Sequence, residues 1–598
     1  MSLLQDISTK VEDVFVELGL DAELGETQYS DRPDLSDFQC NGALKAAKVL
    51  KRNPREIAEQ LKEKCAGLDV FSSISVDGPG FLNFKISDQY LLSQLSTFDP
   101  SKISTKPEKI VIDYGGPNVA KPLHVGHLRS AIIGESLKRV ARELGHDVVS
   151  DIHMGDWGTP MGMLLAELED RHPDWNYFQK PFMPTEKTEN PPFSVEALNE
   201  LYPLASIKCK KPTDDNPNDK YDAIFSEKAR QATAKLQEGD AGYRALWKHF
   251  LSLSIESIKG DFSLLDVDFD IWLGESNADP YIEKMVQDFI DRGIARESDG
   301  AIVVDVARED DKRDIPPLML RKRDGASTYA TTDLATIFQR VEDYNPDRIL
   351  YVVDQRQEQH FVQVFRAAAK AGMIAEDKLE HIGFGTMNGK DGKPFKTRAG
   401  GVMRLSDLIA LAKERALSET GFIADEVTDE IRDMANAIAI GSIKYGDLKN
   451  PRISDYVFDP NEFVKFEGNT GPYNQYQLVR SDAVLEKAFN SEAKISEDMT
   501  MNEYERELTI KLLGFDETID RAFSRRMPSD ICDYMHNLAR AFSGFYRHCP
   551  IATAENEETR QTRIQMTATT NKTLSKCMDL LAIPRPKKML RSSNLDLN

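Results

Sequence analysis

At 598 residues, with 40% hydrophobic and 29% charged side chains, the chain has the composition of a soluble globular protein of roughly three to five domains. Its six cysteines, Cys40, Cys65, Cys209, Cys532, Cys549 and Cys577, are scattered without a CxxC pair, which speaks against a disulfide framework or a zinc site and for reduced thiols in a cytoplasm. The net charge of −22 argues against a nucleic-acid partner when taken alone, yet Tyr504–Asn598 holds 15 Lys and Arg against 12 Asp and Glu, about +3, so composition leaves an RNA partner open.

The opening MSLLQDISTKVEDVFVELGL is amphipathic and acidic, without the basic start and apolar stretch of a signal peptide. No apolar run approaches the roughly 18 residues that a membrane span needs. Residues 1–106 read as a small α+β domain. Helices are expected over Asn41–Arg52, rich in Ala and Lys, and over Pro54–Cys65, with proline at its start. Two strands are expected around Gly78-Pro79-Gly80 within Ser72–Ser87. The region of Pro107 ends this domain.

From 107 to 404 the pattern predicts a Rossmann-type, doubly wound parallel α/β sheet. Lys109–Gly116 is a short β-branched run of the buried-strand type; a helix follows from about His127 to Gly145, then a strand in His146–Asp156. Strand, helix, strand in this order is a βαβ unit. Further strands are expected at Ala301–Val306, Arg348–Asp354 and His381–Gly385. An insertion at about 170–270 interrupts the sheet and contains the breaker-rich loop Cys209–Lys220. From 405 to 598 strand signals nearly vanish, and helical periodicities at Leu405–Thr420, Glu426–Leu448, Tyr473–Phe489 and Asp530–His548 predict an all-α domain. There is no internal repeat or low-complexity tract.

The segment richest in chemistry is DYGGPNVAKPLHVGHLRSAIIGE, Asp113–Glu135, placed where the first parallel strand gives way to a helix. Ligands of open α/β sheets bind in that crevice. A helix N-terminus favours phosphate, Gly126 lets a nucleotide lie against the backbone, and imidazole N–H groups can donate to phosphate oxygens as charge builds in a transition state. This is adenylyl transfer by positioning and electrostatics, without a protein nucleophile. The four residues HVGH alone admit other readings, a cap at a helix start or part of a metal site; the βαβ placement favours phosphate.

HVGH resembles the His-Ile-Gly-His signature of class I aminoacyl-tRNA synthetases, and the longer PNVAKPLHVGHLRSAIIG resembles the arginyl-tRNA synthetases. The resemblance continues through GDWGTPMG (Gly155–Gly162), GDAGYRALWKHF (Gly239–Phe250), FDIWLGES (Phe269–Ser276), STYATTDLA (Ser327–Ala335), YVVDQRQEQHF (Tyr351–Phe361) and GPYNQYQLVR (Gly471–Arg480). It implies ATP-dependent activation of L-arginine to arginyl-adenylate and transfer to tRNA(Arg), with ATP used as its Mg2+ complex. It implies no resident protein-ligated metal, no membrane, and a cytoplasmic monomer. By resemblance, His124, His127, Lys121 and Lys396 are catalytic, and Lys121, His124, Gly126, His127 and His360 bind ATP. Tyr329, Asp333 and Gln357 read the arginine side chain, and Asn118 and Asp113 hold its polar ends; relatives often carry glutamate at the position of Asp113. A guanidinium has five donors and a permanent charge, so a selective pocket needs a carboxylate and neutral acceptors.

The second class signature, Lys-Met-Ser-Lys-Ser, is replaced by GKPFKTRAGG at Gly392–Gly401, where Lys396 and Arg398 still offer positive charge. Many arginyl enzymes lack the standard loop, and Lys121 is in the position thought to compensate. Tyr473, Tyr476 and Arg480, spaced i, i+3, i+7, share a helix face and match anticodon positions. Met589 matches a near-terminal methionine beside them, and Phe81 and Asn83 match readers of the tRNA D-loop. The family's usual need for bound tRNA before activation is expected here. Other readings are another class I synthetase, a small-molecule nucleotidyltransferase, or a catalytically silent tRNA-binding homologue; the length of the helical domain and the intact His124, His127 and Lys121 weigh against the last two.

Overall fold

The computed structural model describes every residue except 1, 33–34, 102–105, 191, 214–217, 324, 394–402, 423–426, 488–492 and 591–598. It divides into one compact unit of Met1–Ser104, Leu417–Tyr445 and Phe463–Asn598, and a second of Thr105–Ala416 and Gly446–Glu462. Among the described residues no helix is long and apolar enough to cross a membrane.

The first unit begins with α1 (Leu3–Glu17), capped by the Ser2 hydroxyl, which accepts from the Gln5 N–H. Then come β1 (Thr27–Tyr29), β2 (Phe38–Cys40), α2 (Gly42–Leu50), α3 (Pro54–Cys65), β3 (Phe71–Asp77), β4 (Phe81–Ile86) and α4 (Asp88–Thr97). The strands form an antiparallel sheet in the order β1-β2-β4-β3. The expected turn joins β3 to β4. Gly80 has φ +138° there, and a Cβ on it would stand 3.0 Å from the Pro54 carbonyl oxygen, so glycine is required twice over.

The second unit is organised by β5 (Lys109–Asp113), whose Ile110, Val111 and Ile112 are fully buried. It continues with α5 (Val125–Glu143), β6 (Asp147–Asp151) and the helices α6 (Thr159–Arg171), the single turn α7 (Glu186–Glu189), α8 (Val195–Cys209), α9 (Ala223–Glu238) and α10 (Ala241–Leu264). After α11 (Glu275–Asp291) come β7 (Ala295–Ser298), β8 (Ala301–Val304), β9 (Leu318–Arg321), α12 (Tyr329–Tyr344), β10 (Arg348–Tyr351), α13 (Glu358–Lys370), β11 (Leu379–His381) and β12 (Met387–Asn388). The parallel sheet has the order β11-β10-β5-β6. The chain leaves β5 toward β6 and later returns on its other side as β10, so the crevice opens at the carboxyl ends of β5 and β10.

Two expectations are corrected here. Ala301–Val306 is not in the parallel sheet: β8 pairs antiparallel with β7 and β9. Its hairpin turn has positive φ at Asp299 and Gly300, the turn geometry of a tight antiparallel pair, and a short apolar run alone does not distinguish the two sheet types. The break expected at 404 also falls inside the second unit. That unit keeps the chain to Ala416 and takes it up again at Gly446–Glu462, because β13 (Tyr456–Val457) pairs in parallel with β12. Arg129 of α5, 2% exposed, reinforces the join. Its Nε lies 3.1 Å from Asp447, and its Nη1 donates to the carbonyls of Gly385 at 2.7 Å and Ser454 at 3.1 Å.

The helical part holds α14 (Leu405–Thr420), α15 (Asp429–Leu448), α16 (Pro460–Phe463), α17 (Gly471–Lys487), α18 (Glu503–Leu513), α19 (Phe515–Ser524), α20 (Ser529–His548) and α21 (Glu557–Leu580). The N-terminal sheet, expected as part of a domain 1–106, falls in one compact unit with Leu417–Tyr445 and Phe463–Asn598 of the domain expected at 405–598. Arg506 of α18 is a reason: it pairs with Asp37, donates to Asp88 at 2.6 Å and donates to the Ile86 carbonyl at 2.7 Å. Removing one partner of a buried pair leaves uncompensated charge, so Arg506→Met is expected to cost about 3 kcal/mol of unfolding free energy. A urea titration checks it; a loss of only ~0.5 kcal/mol would reduce the contact to an ordinary surface pair.

Candidate active site

β5 delivers Asp113 to the crevice. Arg340, 2% exposed on α12, donates to Asp113 at 2.6 Å and to Asp151 at 2.7 Å. Asp113, Asp151 and His153 come together closely enough to hold a metal ion, but the guanidinium already stands between the two carboxylates. Burial pushes the Asp113 carboxyl up while Arg340 pulls against it. Asp113 thus has a structural partner, which leaves a ligand role secondary to holding α12 on the sheet.

The loop after β5 ends in His124, the N-cap of α5. The His124 Nδ1 accepts from the Gly126 N–H at 3.0 Å, and the His127 Nδ1 accepts from the His124 N–H at 3.1 Å. The ring centroids are 3.9 Å apart. A nitrogen that accepts carries no proton, so in each neutral ring the hydrogen sits on Nε2. Burial, reinforced by the neighbouring ring and by Lys121, takes the His127 pKa down to about 3; burial and then Lys121 lower that of His124. Both rings are therefore neutral Nε2–H donors at neutral pH. A Cβ on Gly126 would stand 2.8 Å from the His124 ring, so this glycine is needed by the histidine pair itself. A cavity of about 400 Å³ opens here, lined by Asp113, His124, Gly126, His127, Gln357 and Met387 among others.

A second group of side chains lies at the start of α11 and α12. Tyr329 is 67% exposed. One turn on, the Asp333 carboxylate lies 2.5 Å from the His360 Nε2. Glu275, the first residue of α11, is half-buried. Burial pushes its carboxyl up to about 7, with Asp156 and Asp333 adding to the rise and His153 opposing it. The Glu275 Oε2 and the Tyr329 hydroxyl both lie 4.0 Å from where a Cβ on Gly158 would be. The Gly155–Gly162 turn is thus the wall they share. The insertion holds that turn in place: Trp247 of α10 donates to the Asp156 carbonyl at 2.8 Å. The Ser276 N–H and hydroxyl donate to the Asp156 carboxylate at 2.9 and 2.5 Å. Two carboxylates beside an exposed phenol suit a guanidinium. Glu275 was not singled out in the sequence, although it sits in FDIWLGES; an acid at the first position of a helix is ordinary dipole chemistry, and only its recess beside Asp333 marks it.

The other candidates fall as follows. Asn118 is half-buried, with its Oδ1 2.6 Å from where a Cβ on Gly155 would be. Lys121 does not line the cavity; its Nζ lies 4.5 Å from the centre of the Tyr202 ring. His360 lies against Asp333 and does not line the cavity in which ATP contact was expected. Lys396 and Arg398 lie outside the described residues. In the first unit, Tyr476 is exposed, its hydroxyl accepts from the Arg480 Nη2 at 3.1 Å, and the Arg480 guanidinium also lies 5.0 Å from the centre of the Tyr546 ring. Tyr473, half-buried, meets His536 edge-on at 5.3 Å. Met589 is half-buried, as is Phe81. Asn83 is 7% exposed, and its amide is engaged at both ends, by Gln39 at 3.0 Å and Asp77 at 2.5 Å, so it is a poorer reader of RNA than Phe81.

Three family models match the chain: the arginyl-tRNA synthetase N-terminal domain over residues 1–86, the catalytic domain of class I (R) tRNA synthetases over 89–460, and the DALR anticodon-binding domain over 474–589. The catalytic match runs to 460, which agrees with the place of β13 in the second unit. The arginine–tRNA ligase of Alkaliphilus oremlandii is 45% identical over 98% of this chain and 100% of its own length; that of Hyphomonas neptunium is 44% identical with the same coverage. Among solved structures, the arginyl-tRNA synthetase of Plasmodium falciparum superposes with a TM-score of 0.78 at 25% identity, covering 98% of this chain and 99% of that one. The Thermus thermophilus arginyl-tRNA synthetase shares the fold, with a TM-score of 0.79.

Proposed function

The chain belongs to the arginyl-tRNA synthetases, ligases that activate L-arginine with ATP to arginyl-adenylate and transfer it to the 3′ end of tRNA(Arg) with release of AMP and pyrophosphate, and from that premise we propose how its own residues divide the work. The observation that carries the division is the histidine pair. His124 and His127 are fixed by their own backbone as two neutral Nε2–H donors on the wall of a cavity at the carboxyl ends of β5 and β10. They donate to the α-phosphate oxygens of ATP as the arginine carboxylate attacks and pyrophosphate leaves. Donors already aimed at developing charge lower the barrier without reorganisation. Lys121 and Lys396 take up the charge of the departing pyrophosphate, and ATP enters as its magnesium complex.

Glu275 and Asp333 pair with the arginine guanidinium, with Tyr329 and Gln357 as neutral acceptors and Asn118 at the polar end of the substrate. Burial, with Asp156 and Asp333 adding to it, raises the Glu275 pKa; a cation between the carboxylates favours the charged form, so arginine binds best to the ionised form. The exposed Tyr476–Arg480 face, with Tyr473 and Met589, meets the anticodon, and Phe81 meets the D-loop. Stacking by Tyr476 with a guanidinium beside it suits an unpaired base. The enzyme acts as a cytoplasmic monomer; sedimentation at the mass of one chain tests the monomer.

ATP–pyrophosphate exchange with each of the twenty amino acids, with and without total tRNA, tests the reading. Exchange is expected with arginine alone and only when tRNA is present. Exchange with a different amino acid would overturn the assignment of the carboxylate pocket, and none at all from folded protein would overturn the roles of the histidines.

A further inference from the structure

The insertion does more than hold the Gly155–Gly162 turn. Its helix α8 buries Leu198, Leu201 and Ala205 against its neighbours α6, α9 and α10. Beside that buried face it carries Tyr202, half-buried. The Tyr202 ring meets Lys121, whose Nζ lies 4.5 Å from the ring centre. Lys121 in turn is near enough to both histidines to lower their pKa values. The Tyr202 phenol is also an electrostatic neighbour of Tyr329. One side chain of the insertion therefore meets the lysine of the phosphate side and is an electrostatic neighbour of the tyrosine of the arginine side.

The choice of an aromatic partner matters. A lysine is a flexible cation that loses much rotamer freedom when it is held. A carboxylate would hold it well but would neutralise it and repel the triphosphate. An aromatic face attracts the ammonium through its quadrupole and takes none of its charge. The three ammonium N–H donors remain for phosphate oxygens.

We infer that Tyr202 is a positioning residue of the activation step, its ring holding the Lys121 ammonium beside the His124–His127 pair with charge and donors intact. This rests on the reading that Lys121 acts on the phosphates of ATP, and the test separates the two. With the full chain and tRNA(Arg) present, pyrophosphate exchange is measured for Tyr202→Leu, Tyr202→Phe, Lys121→Met and the Leu/Met double variant. Tyr202→Leu is expected to lower kcat/KM for ATP by about fivefold, and Tyr202→Phe, which keeps the ring face, to retain most of the activity. In the Lys121→Met background Tyr202→Leu adds no further loss. Equal losses in Tyr202→Leu and Tyr202→Phe, or the same loss with and without Lys121, overturn the inference and leave Tyr202 a packing residue. An unchanged Lys121→Met overturns the lysine reading, and this inference with it. If Tyr202→Leu does not fold, phenylalanines with successive ring fluorines at position 202 keep the shape and weaken the quadrupole. A stepwise fall in kcat/KM for ATP supports the inference, and a flat series overturns it.

Discussion

Replacing His127 with alanine is expected to lower arginine-dependent pyrophosphate exchange by about 10²–10³-fold, the usual cost of losing one donor aimed at a transition-state oxyanion, with the KM for arginine little changed. The reason is in the hydrogen bonds. The His127 Nδ1 is occupied by the His124 N–H, so the ring has one orientation and one tautomer, and its Nε2–H is left free for the proposed phosphate contact without reorganising. The same substitution removes a helix cap, worth about 1 kcal/mol, so a denaturant titration must accompany the kinetics. The pH profile supplies a second check. The His127 pKa is taken down to about 3, so the ring stays neutral through the range where an ordinary histidine titrates, and kcat shows no acid limb near pH 6.5 from this group. An acid limb there that vanishes in His127→Ala would show instead that the ring works as an imidazolium.

Glu275→Gln is expected to raise the KM for arginine by about 10²–10³-fold, since truncating one partner of a desolvated charge pair costs roughly 2–5 kcal/mol, with a smaller effect on the KM for ATP. The pH dependence of the parent enzyme gives the same residue a distinct signature. Its carboxyl is raised to about 7 in the free protein, and the guanidinium favours the carboxylate. As pH falls through 7 a growing fraction must lose a proton before arginine binds. Apparent affinity therefore weakens below about pH 7, toward tenfold per pH unit, and is constant above it. Glu275→Gln removes that slope along with the affinity. A wild-type KM for arginine that does not move between about pH 8 and 6 would remove Glu275 from the pocket.

The parts of this molecule that were legible in the sequence are those written in local pattern. Ile110–Ile112 announced a buried strand because three adjacent apolar side chains suit a strand covered on both faces. The HVGH segment announced a helix start beyond the first parallel strand, because strand, loop and helix start follow one another there. Helix α3 begins at Pro54 as expected, since proline is pre-organised for a first turn. Other features depend on pairings that no local pattern carries. Arg340 reaches Asp113 across 227 residues, and Arg129 reaches Ser454 across 325. The second of these holds Gly446–Glu462 to the parallel-sheet unit, so a boundary drawn where strand signals fade falls too early. Glu275 and Tyr202 were hidden for the same reason: an acid opening a helix and a tyrosine in an insertion look ordinary until Asp333 and Lys121 lie beside them.

The Arg506 clamp also sets an order of events on the ribosome. A nascent chain emerges at roughly 5–20 residues per second. Asp88 precedes Arg506 by 418 residues, an interval of about 20–80 s at that rate. Through that time the N-terminal sheet has its own apolar interior, but Asp37 and Asp88 wait without their guanidinium, and the face that α18 later covers stays open to solvent. The first hundred residues must therefore persist half-finished while the whole catalytic unit is synthesised, and a chain stalled before Glu503 displays that unfinished face to the quality-control machinery of the cell.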